Sequence, residues 1–63
     1  MLTIYTVYVY YSMWSDSDEW DRLYFINKSK AKEYEIELSQ KHEELLLNDD
    51  NASIIFEEIQ VVI

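Results

Sequence analysis

The run LTIYTVYVYY, residues 2–11, most constrains what this chain can fold into. Its Thr, Ile, Val and Tyr side chains are β-branched or aromatic, which favours an extended strand. Successive side chains of a strand point to opposite faces, and neither face of this run carries a charge. A strand that is apolar on both faces is usually central in its sheet. We therefore predict that residues 2–11 form a central strand.

The rest of the chain supplies the neighbours of that strand. A second strand after a loop makes a hairpin with the first. A helix is predicted because strong helix formers follow one another without a breaker, and Asn27 or Ser29 can accept a free backbone N–H at its start. In chain order, the elements are a loop over residues 12–21, a second strand over 22–27, a helix over 30–47 and a third strand over 54–62.

This β-β-α-β order restricts the topology. The hairpin makes the first two strands antiparallel, and a right-handed helical crossover returns the third strand parallel to the second. The third strand placed beside the first gives the sheet order 2-1-3 and keeps the doubly apolar strand in the centre. We expect an α+β fold in which one helix packs on one face of a three-stranded antiparallel sheet, as a single domain over residues 1–63.

The small size of the chain favours association. A fold of 63 residues often needs a disulfide, a metal or an oligomer, and the absence of cysteine excludes the disulfide. One helix leaves the second face of the sheet uncovered, and a large uncovered apolar patch marks an interaction site. We predict a homodimer, because closed two-fold symmetry is the commonest. The residues predicted for this apolar surface, in a dimer or against another partner, are Tyr8, Tyr10, Trp14, Tyr24 and Phe56.

The charge balance indicates the kind of partner. Thirteen acidic residues against five basic ones give a net charge of −8, and residues 33–63 alone sum to −8 because the basic residues concentrate in 28–32. Such a field repels nucleic acid and anionic membranes and attracts basic protein surfaces. We therefore predict a protein partner with a basic surface and no direct nucleic-acid or membrane binding. The N-terminus lacks a positively charged leader, and we expect a cytoplasmic protein.

Catalytic and metal chemistry are only weakly indicated. Phosphate-binding loops and the sharp turn of an EF-hand loop need glycine, which is absent from the chain. A sheet of three strands with one helix also leaves little volume for a cleft. We predict no enzymatic activity, no metal and no cofactor; the alternative is a metal-dependent enzyme or sensor that uses the acids of residues 16–21. His42, on the predicted apolar stripe of the helix, is a packed histidine or else a pH-sensitive contact or ligand.

Acidic side chains on the predicted helix and loop are the main functional candidates. Carboxylates on a rigid scaffold can replace phosphates and occupy a basic groove built for DNA or RNA. The alternative for the helix is an ordinary solvated face. The residues predicted to bind a partner through charge are Asp16, Asp18, Glu19, Glu33, Glu37, Glu43 and Glu44.

Two tryptophans flank the acids of the predicted loop. Tryptophan is prominent in interface hot spots because it buries a large area at a low cost in side-chain entropy. Trp14 is predicted to be an exposed anchor, whereas Trp20 is assigned equally to the core and to the surface. The loop is therefore predicted to be a protein-contact surface rather than a metal site.

Three motifs are spread along nearly the whole chain: YTVYVYY in the first strand, SKAKEYE at the start of the predicted helix, which an acidic loop and a strand precede, and EEIQV in the last strand. Together they resemble a loose group of short acidic proteins of phage and bacterial genomes. The resemblance implies a β-β-α-β fold and a phage context, in which small acidic proteins such as anti-CRISPR inhibitors bind and block a host protein. The expected function is inhibition of a nucleic-acid-handling or defence protein of the host by nucleic-acid mimicry. The alternative is a dimeric structural or regulatory module without mimicry.

Overall fold

A computed structural model of the chain describes residues 1–13 and 16–62. Its three strands form one antiparallel sheet in the order β2-β1-β3, with both helices after the hairpin in the chain. This confirms the predicted α+β fold and the central position of the first strand. The elements are β1 (Leu2–Met13), β2 (Asp16–Phe25), α1 (Lys28–Lys41), α2 (Glu43–Asn48) and β3 (Ala52–Val61).

β1 is buried on both faces, as its sequence requires. On one face Val7 and Val9 have no exposed surface, and on the other Thr6 has none and Tyr8 is 6% exposed. Its pairing with β3 runs without a register shift, from Leu2 opposite Val61 to Tyr11 opposite Ala52. The lack of charged residues on either face of β1 is therefore consistent with the burial of both faces.

The predicted loop over residues 12–21 is wrong for most of its length. β1 extends to Met13, and β2 begins at Asp16 rather than at residue 22. The polar pairs Tyr10–Glu19 and Ser12–Ser17 lie opposite each other in the ladder. Ladder hydrogen bonds join backbone groups and do not require apolar side chains, so a charged and exposed segment is held extended by its neighbour. The apolar alternation that marks a half-buried strand is absent there for the same reason.

A β-bulge interrupts β2 at Asp21. Between the pairs Val7–Leu23 and Val9–Trp20, β1 advances by two residues and β2 by three. Asp21 has a φ of 57°, in the left-handed region that glycine usually occupies. Aspartate tolerates this conformation better than most residues, which allows a chain without glycine to form the bulge.

The predicted helix is divided into two. Asn27 caps α1, because its Oδ1 accepts hydrogen bonds from the backbone N–H groups of Ser29 (2.9 Å) and Lys30 (3.4 Å). This confirms one of the two predicted caps. The continuous helix over 30–47 is wrong, since His42 has the non-helical angles φ −108° and ψ 23° and separates α1 from α2.

The core lies between α1 and one face of the sheet. Two buried helix residues, Ala31 and Leu38, pack against the two buried valines of β1. Aromatic pairs border this cluster, with ring centroids 5.4 Å apart for Phe25 and Tyr34. The partly buried residues around the cluster are Tyr5, Phe25, Tyr34, Ile54 and Phe56. Within residues 1–13 and 16–62, no helix has the length and apolar character needed to cross a membrane.

Candidate interaction surfaces

The open face of the sheet, which α1 does not cover, was expected to be an apolar patch. It carries Thr6, Tyr8 and Tyr10 of β1, beside Tyr24 of β2 and Glu57 of β3. Its centre is nevertheless buried, since Thr6 and Tyr8 are almost completely enclosed. A covering group on this face therefore comes from the chain itself.

The covering group is the side chain of Arg22. Its Cζ lies 3.8 Å from the centroid of the Tyr8 ring and 5.9 Å from that of Tyr24, a cation–π arrangement. Its Nη2 donates to Glu19 Oε2 at 2.8 Å, and its Nη1 lies 3.5 Å from Thr6 Oγ1. Burial opposes the charge of Arg22, but the hydrogen bond with Glu19 raises the pKa of the guanidinium. Arg22 is thus held over the centre of the face at several points.

Hydrogen bonds complete the buried centre. The Tyr8 hydroxyl donates to Glu57 Oε1 at 2.9 Å, and the Thr6 hydroxyl donates to the carbonyl oxygen of Leu23 at 3.0 Å. Burial, and then the hydrogen bond to Glu57, raise the pKa of Tyr8. Every buried side-chain nitrogen and oxygen in the described part of the chain has a hydrogen-bond partner. The centre is therefore a satisfied polar network, not an uncovered apolar surface.

The five residues predicted to form an apolar contact surface do not lie together in the structure. Tyr24 is 61% exposed and Tyr10 is half-buried, and both lie on the open face. Tyr8 is on the same face but lies under Arg22, so little of it can reach a partner. Phe56 was grouped with them incorrectly, because it packs against the core on the helix side. Trp14 lies outside the described residues.

Trp20 lies at the border between core and surface. It pairs with Val9 on the helix side of the sheet and is 37% exposed. Its ring stacks on Tyr11, with centroids 5.5 Å apart and an angle of 29° between the planes. Trp20 therefore extends the core toward the hairpin and keeps one edge accessible.

The four helix acids predicted to bind a partner are exposed, and they form no ion pair within the described residues. Gln40 and Lys41 interrupt their row, and the break at His42 places the last two on α2. The predicted line of charge therefore runs over two short helices instead of one long helix. These exposed acids are Glu33, Glu37, Glu43 and Glu44.

The acids of β2 have different environments. Asp16 and Asp18 are exposed near the hairpin end of the sheet. Glu19 is paired with Arg22, at 2.8 Å, so part of its charge is compensated within the chain. Within residues 1–13 and 16–62, Asp16 and Asp18 therefore have no ion-pair partner, whereas Glu19 does.

A second acidic segment meets the hairpin end from the other side. Tyr11 Oη donates to Asp49 Oδ2 at 2.8 Å, and Ser12 N donates to the carbonyl oxygen of Asn51 at 3.0 Å. These bonds place the turn after α2 beside the C-terminal end of β1. The acidic first half of β2 pairs with the same end of β1. The backbone N–H of Asn51, and then the Tyr11 hydroxyl, lower the pKa of Asp49. Sequence reasoning missed this meeting because the two segments are far apart in the chain.

His42 and Lys41 connect the end of α1 to the bulge. His42 Nε2 lies 2.9 Å and Lys41 Nζ 3.3 Å from Asp21 Oδ2. The hydroxyl of Tyr34 donates to the backbone carbonyl of the same aspartate. The hydrogen bond with His42, followed by that with Lys41, lowers the pKa of Asp21. His42 is therefore half-buried at a helix end, where it contacts Asp21.

A shallow concavity of about 360 Å³ lies beside the helix break and is open to solvent. Gln40, Lys41, Glu43, Glu44 and Leu47 line it. Across residues 1–13 and 16–62, no three histidine, cysteine or acidic side chains are grouped so that they could hold a metal ion. The concavity therefore places Lys41 and the exposed Leu47 beside the two acids of α2.

Comparisons with protein-family models, with curated proteins and with solved structures find no match to this chain.

Proposed function

We propose that this chain is a non-enzymatic inhibitor that binds and blocks a nucleic-acid-handling or defence protein of a bacterial host, in the host cytoplasm. The observation that carries the proposal is the row of exposed carboxylates on α1 and α2, which form no ion pairs within the described residues. Such groups are available to basic side chains of a partner. Complementary charge of this kind speeds association and orients the partner.

The hairpin end provides a second acidic surface. Asp16 and Asp18 lie on β2, and the turn that contains Asp49 and Asp50 contacts the adjacent end of β1 at Tyr11 and Ser12, so carboxylates from two parts of the chain lie at the same end of the sheet. These segments are held by strand pairing and by backbone hydrogen bonds. Preorganised carboxylates suit the replacement of phosphates because little entropy is lost when they bind. This supports nucleic-acid mimicry as the mechanism of inhibition.

Three of the five basic residues lie away from the acidic hairpin end. Lys28, Lys30 and Lys32 all lie in the first turns of α1, where Lys32 Nζ is 5.6 Å from the ring centroid of Phe56. Phe56 pairs with Val7 near the middle of β1, away from the hairpin end. The charge is thus polarised, and the acidic hairpin end can approach a basic groove while the lysines remain distant.

The test is capture by the immobilised chain from a bacterial lysate, followed by elution with duplex DNA. We expect the captured proteins to be nucleic-acid-handling proteins that DNA displaces, because both ligands compete for one basic surface. Raised ionic strength should weaken capture for the same reason. Captured proteins that DNA and high salt leave bound would contradict the mimicry mechanism.

Two triple variants with the same change in net charge locate the binding surface. One replaces the helix acids (Glu33→Lys, Glu37→Lys, Glu44→Lys), and the other replaces hairpin-end acids (Asp16→Lys, Asp18→Lys, Asp50→Lys). We expect the helix triple to lose capture and the hairpin triple to lose less. Equal loss would indicate general charge steering, and full capture by both variants would refute the proposal.

A dimeric structural or regulatory module is the second candidate function. The rim of the open face favours it, because Tyr24, opposite Thr6, is 61% exposed and Tyr10, opposite Glu19, is half-buried. In that case Tyr24→Lys would convert a dimer into a monomer, as measured by light scattering at several protein concentrations. A chain that is monomeric at all concentrations would exclude this candidate.

A further inference from the structure

The two edges of the sheet differ in how well they are protected. β3 pairs with β1 along Leu2–Val61 to Tyr11–Ala52 without interruption, and its outer edge has no strand beside it in the described structure. An edge strand of this kind presents unpaired backbone N–H and C=O groups that can accept another strand. β2, at the other edge, is interrupted by the bulge at Asp21, whose carbonyl already accepts the hydroxyl of Tyr34. The edge of β3 is therefore the more receptive one.

The side chains of β3 indicate what kind of strand would fit. Ile55 and Ile59 lie on the open face, and both are half-buried beside β1. Two acidic residues, Glu57 and Glu58, follow each other in the middle of the strand and are exposed on opposite faces. Within the described residues neither carboxylate has an ion-pair partner. An added strand would thus meet apolar neighbours on either side of two uncompensated negative charges.

These charges disfavour a second copy of the chain as the added strand. Two antiparallel β3 strands related by a two-fold axis at Glu57 would place this carboxylate directly opposite its copy. An axis at Phe56 would leave the two Glu57 side chains as diagonal neighbours. Like charges that face each other across a strand pair are destabilising, and each chain also carries a net charge of −8.

We propose that the edge of β3 binds an extended segment of a partner protein by strand addition, and that this segment has two adjacent basic residues flanked by β-branched apolar residues. Backbone hydrogen bonds would supply affinity, while the basic pair opposite Glu57 and Glu58 would supply register. This inference rests on the proposed function, because it assigns part of the contact with a basic partner to one strand.

The probe is a capped synthetic peptide, Thr-Val-Ile-Val-Arg-Lys-Val-Ile-Thr, added to the full chain. Hydrogen exchange followed by NMR reads the backbone directly. We expect the alternate amides of β3 that point away from β1 to exchange at least about tenfold more slowly with saturating peptide, as hydrogen-bonded amides do. The outward amides of β2 should not change. Protection on β2 instead, or no protection at all, would overturn the inference.

Two control peptides separate strand addition from attraction between charges. One carries N-methyl groups on alternate residues, which removes backbone donors but keeps the basic pair. The other replaces Arg-Lys with Glu-Glu. We expect neither to protect β3, and protection by the methylated peptide would refute strand addition. Concentration-dependent protection without any peptide would show that a second copy occupies the edge, which also overturns the inference.

Variants of the chain test the register. Glu57→Gln with Glu58→Gln keeps an acceptor for the Tyr8 hydroxyl and should weaken peptide binding by about tenfold, since two opposite-charge pairs are lost. The helix triple variant should still bind the peptide.

If β3 binds the peptide but no nucleic-acid-handling protein is captured, the proposed function fails alone. If capture is normal and the peptide does not bind, this inference fails alone.

Discussion

Val7 and Tyr8 are neighbours on β1, and both are buried, but on opposite faces and by different means. Val7 packs beneath α1 in an apolar cluster with Leu38. Tyr8 lies beneath one long side chain, Arg22, with its hydroxyl bound to Glu57. The comparison shows that an aromatic face can be closed by an arginine from an adjacent edge strand, because a guanidinium stacks on rings and its stem covers apolar surface.

The bulge at Asp21 makes this double closure possible. Asp21 and Arg22 are consecutive, yet the first contacts the end of α1 and the second covers the open face. An extra residue in one strand changes the direction of the side chains around it. The one bulge in β2 therefore directs Asp21 toward α1 and Arg22 onto the open face of the sheet.

Truncation of the helix-side core should have the largest effect. Leu38→Ala removes the largest fully buried side chain, and we expect the free energy of unfolding to fall by about 3 kcal/mol. Leu47→Ala is the matched control, because Leu47 is 76% exposed and should change stability by less than about 0.5 kcal/mol. Urea unfolding measures both variants. Equal effects would show that α1 does not close the core as described.

Removal of the cover from the open face should have a smaller effect. Arg22→Ala exposes the ring of Tyr8 and the hydroxyl of Thr6, and we expect the melting temperature to fall by a few degrees. Lys30→Ala removes the same charge from an exposed position and should leave the melting temperature nearly unchanged. An Arg22→Ala variant as stable as Lys30→Ala would contradict the covering role.

The hydrogen bond beneath that cover can be isolated. Tyr8→Phe keeps the ring under Arg22 and removes only the hydroxyl that donates to Glu57, so we expect a loss of about 1 kcal/mol. Tyr10→Phe on the same strand and face is the control, since the Tyr10 hydroxyl has no hydrogen-bond partner within the described residues. In urea unfolding, the parent chain and Tyr10→Phe should have the same free energy of unfolding, and Tyr8→Phe should have a lower one.

The junction between the faces depends on one left-handed residue. Asp21→Gly and Asp21→Ala both remove the carboxylate that binds His42 and Lys41. Glycine accepts a φ of 57° without cost, so Asp21→Gly should be more stable than Asp21→Ala by about 1 kcal/mol. The reverse order would show that the bulge does not hold a left-handed residue in solution.

Acid should loosen the helix side specifically, with the smallest effect. The pKa values of Asp21 and Asp49 are lowered by their hydrogen bonds in the folded chain, so their contribution to stability is present above about pH 4 and is lost as the pH falls through the lowered values. The double variant Asp21→Asn, Asp49→Asn should be less stable than the parent at pH 7, and this difference should shrink as the pH falls through the lowered pKa values of the two carboxyls. Urea unfolding at several pH values measures this difference, and a difference in the free energy of unfolding that does not shrink as the pH falls would contradict the assignment.

Local sequence patterns were sufficient for the order of the three strands and for the helical region between the second and third, but not for the break between α1 and α2. The β-branched and aromatic residues of β1, the helix formers after Asn27 and the β-branched residues of β3 each express a preference of neighbouring residues. The first half of β2 lacked such a pattern because both of its faces are solvated there, and only the pairing with β1 holds it extended. The acidic hairpin end was unpredictable for a related reason, since it joins segments separated by the whole helical region.

The sequence by itself determined the central position of β1, because a strand without charge on either face must be enclosed on both sides. Only the tertiary structure decided how each side is enclosed. Contacts between distant residues, of Arg22 with Tyr8 and of Asp21 with His42, depend on the register of β2 and on its bulge. A one-residue change of register reverses the direction of every side chain beyond it, and no local pattern in this chain records where that change occurs.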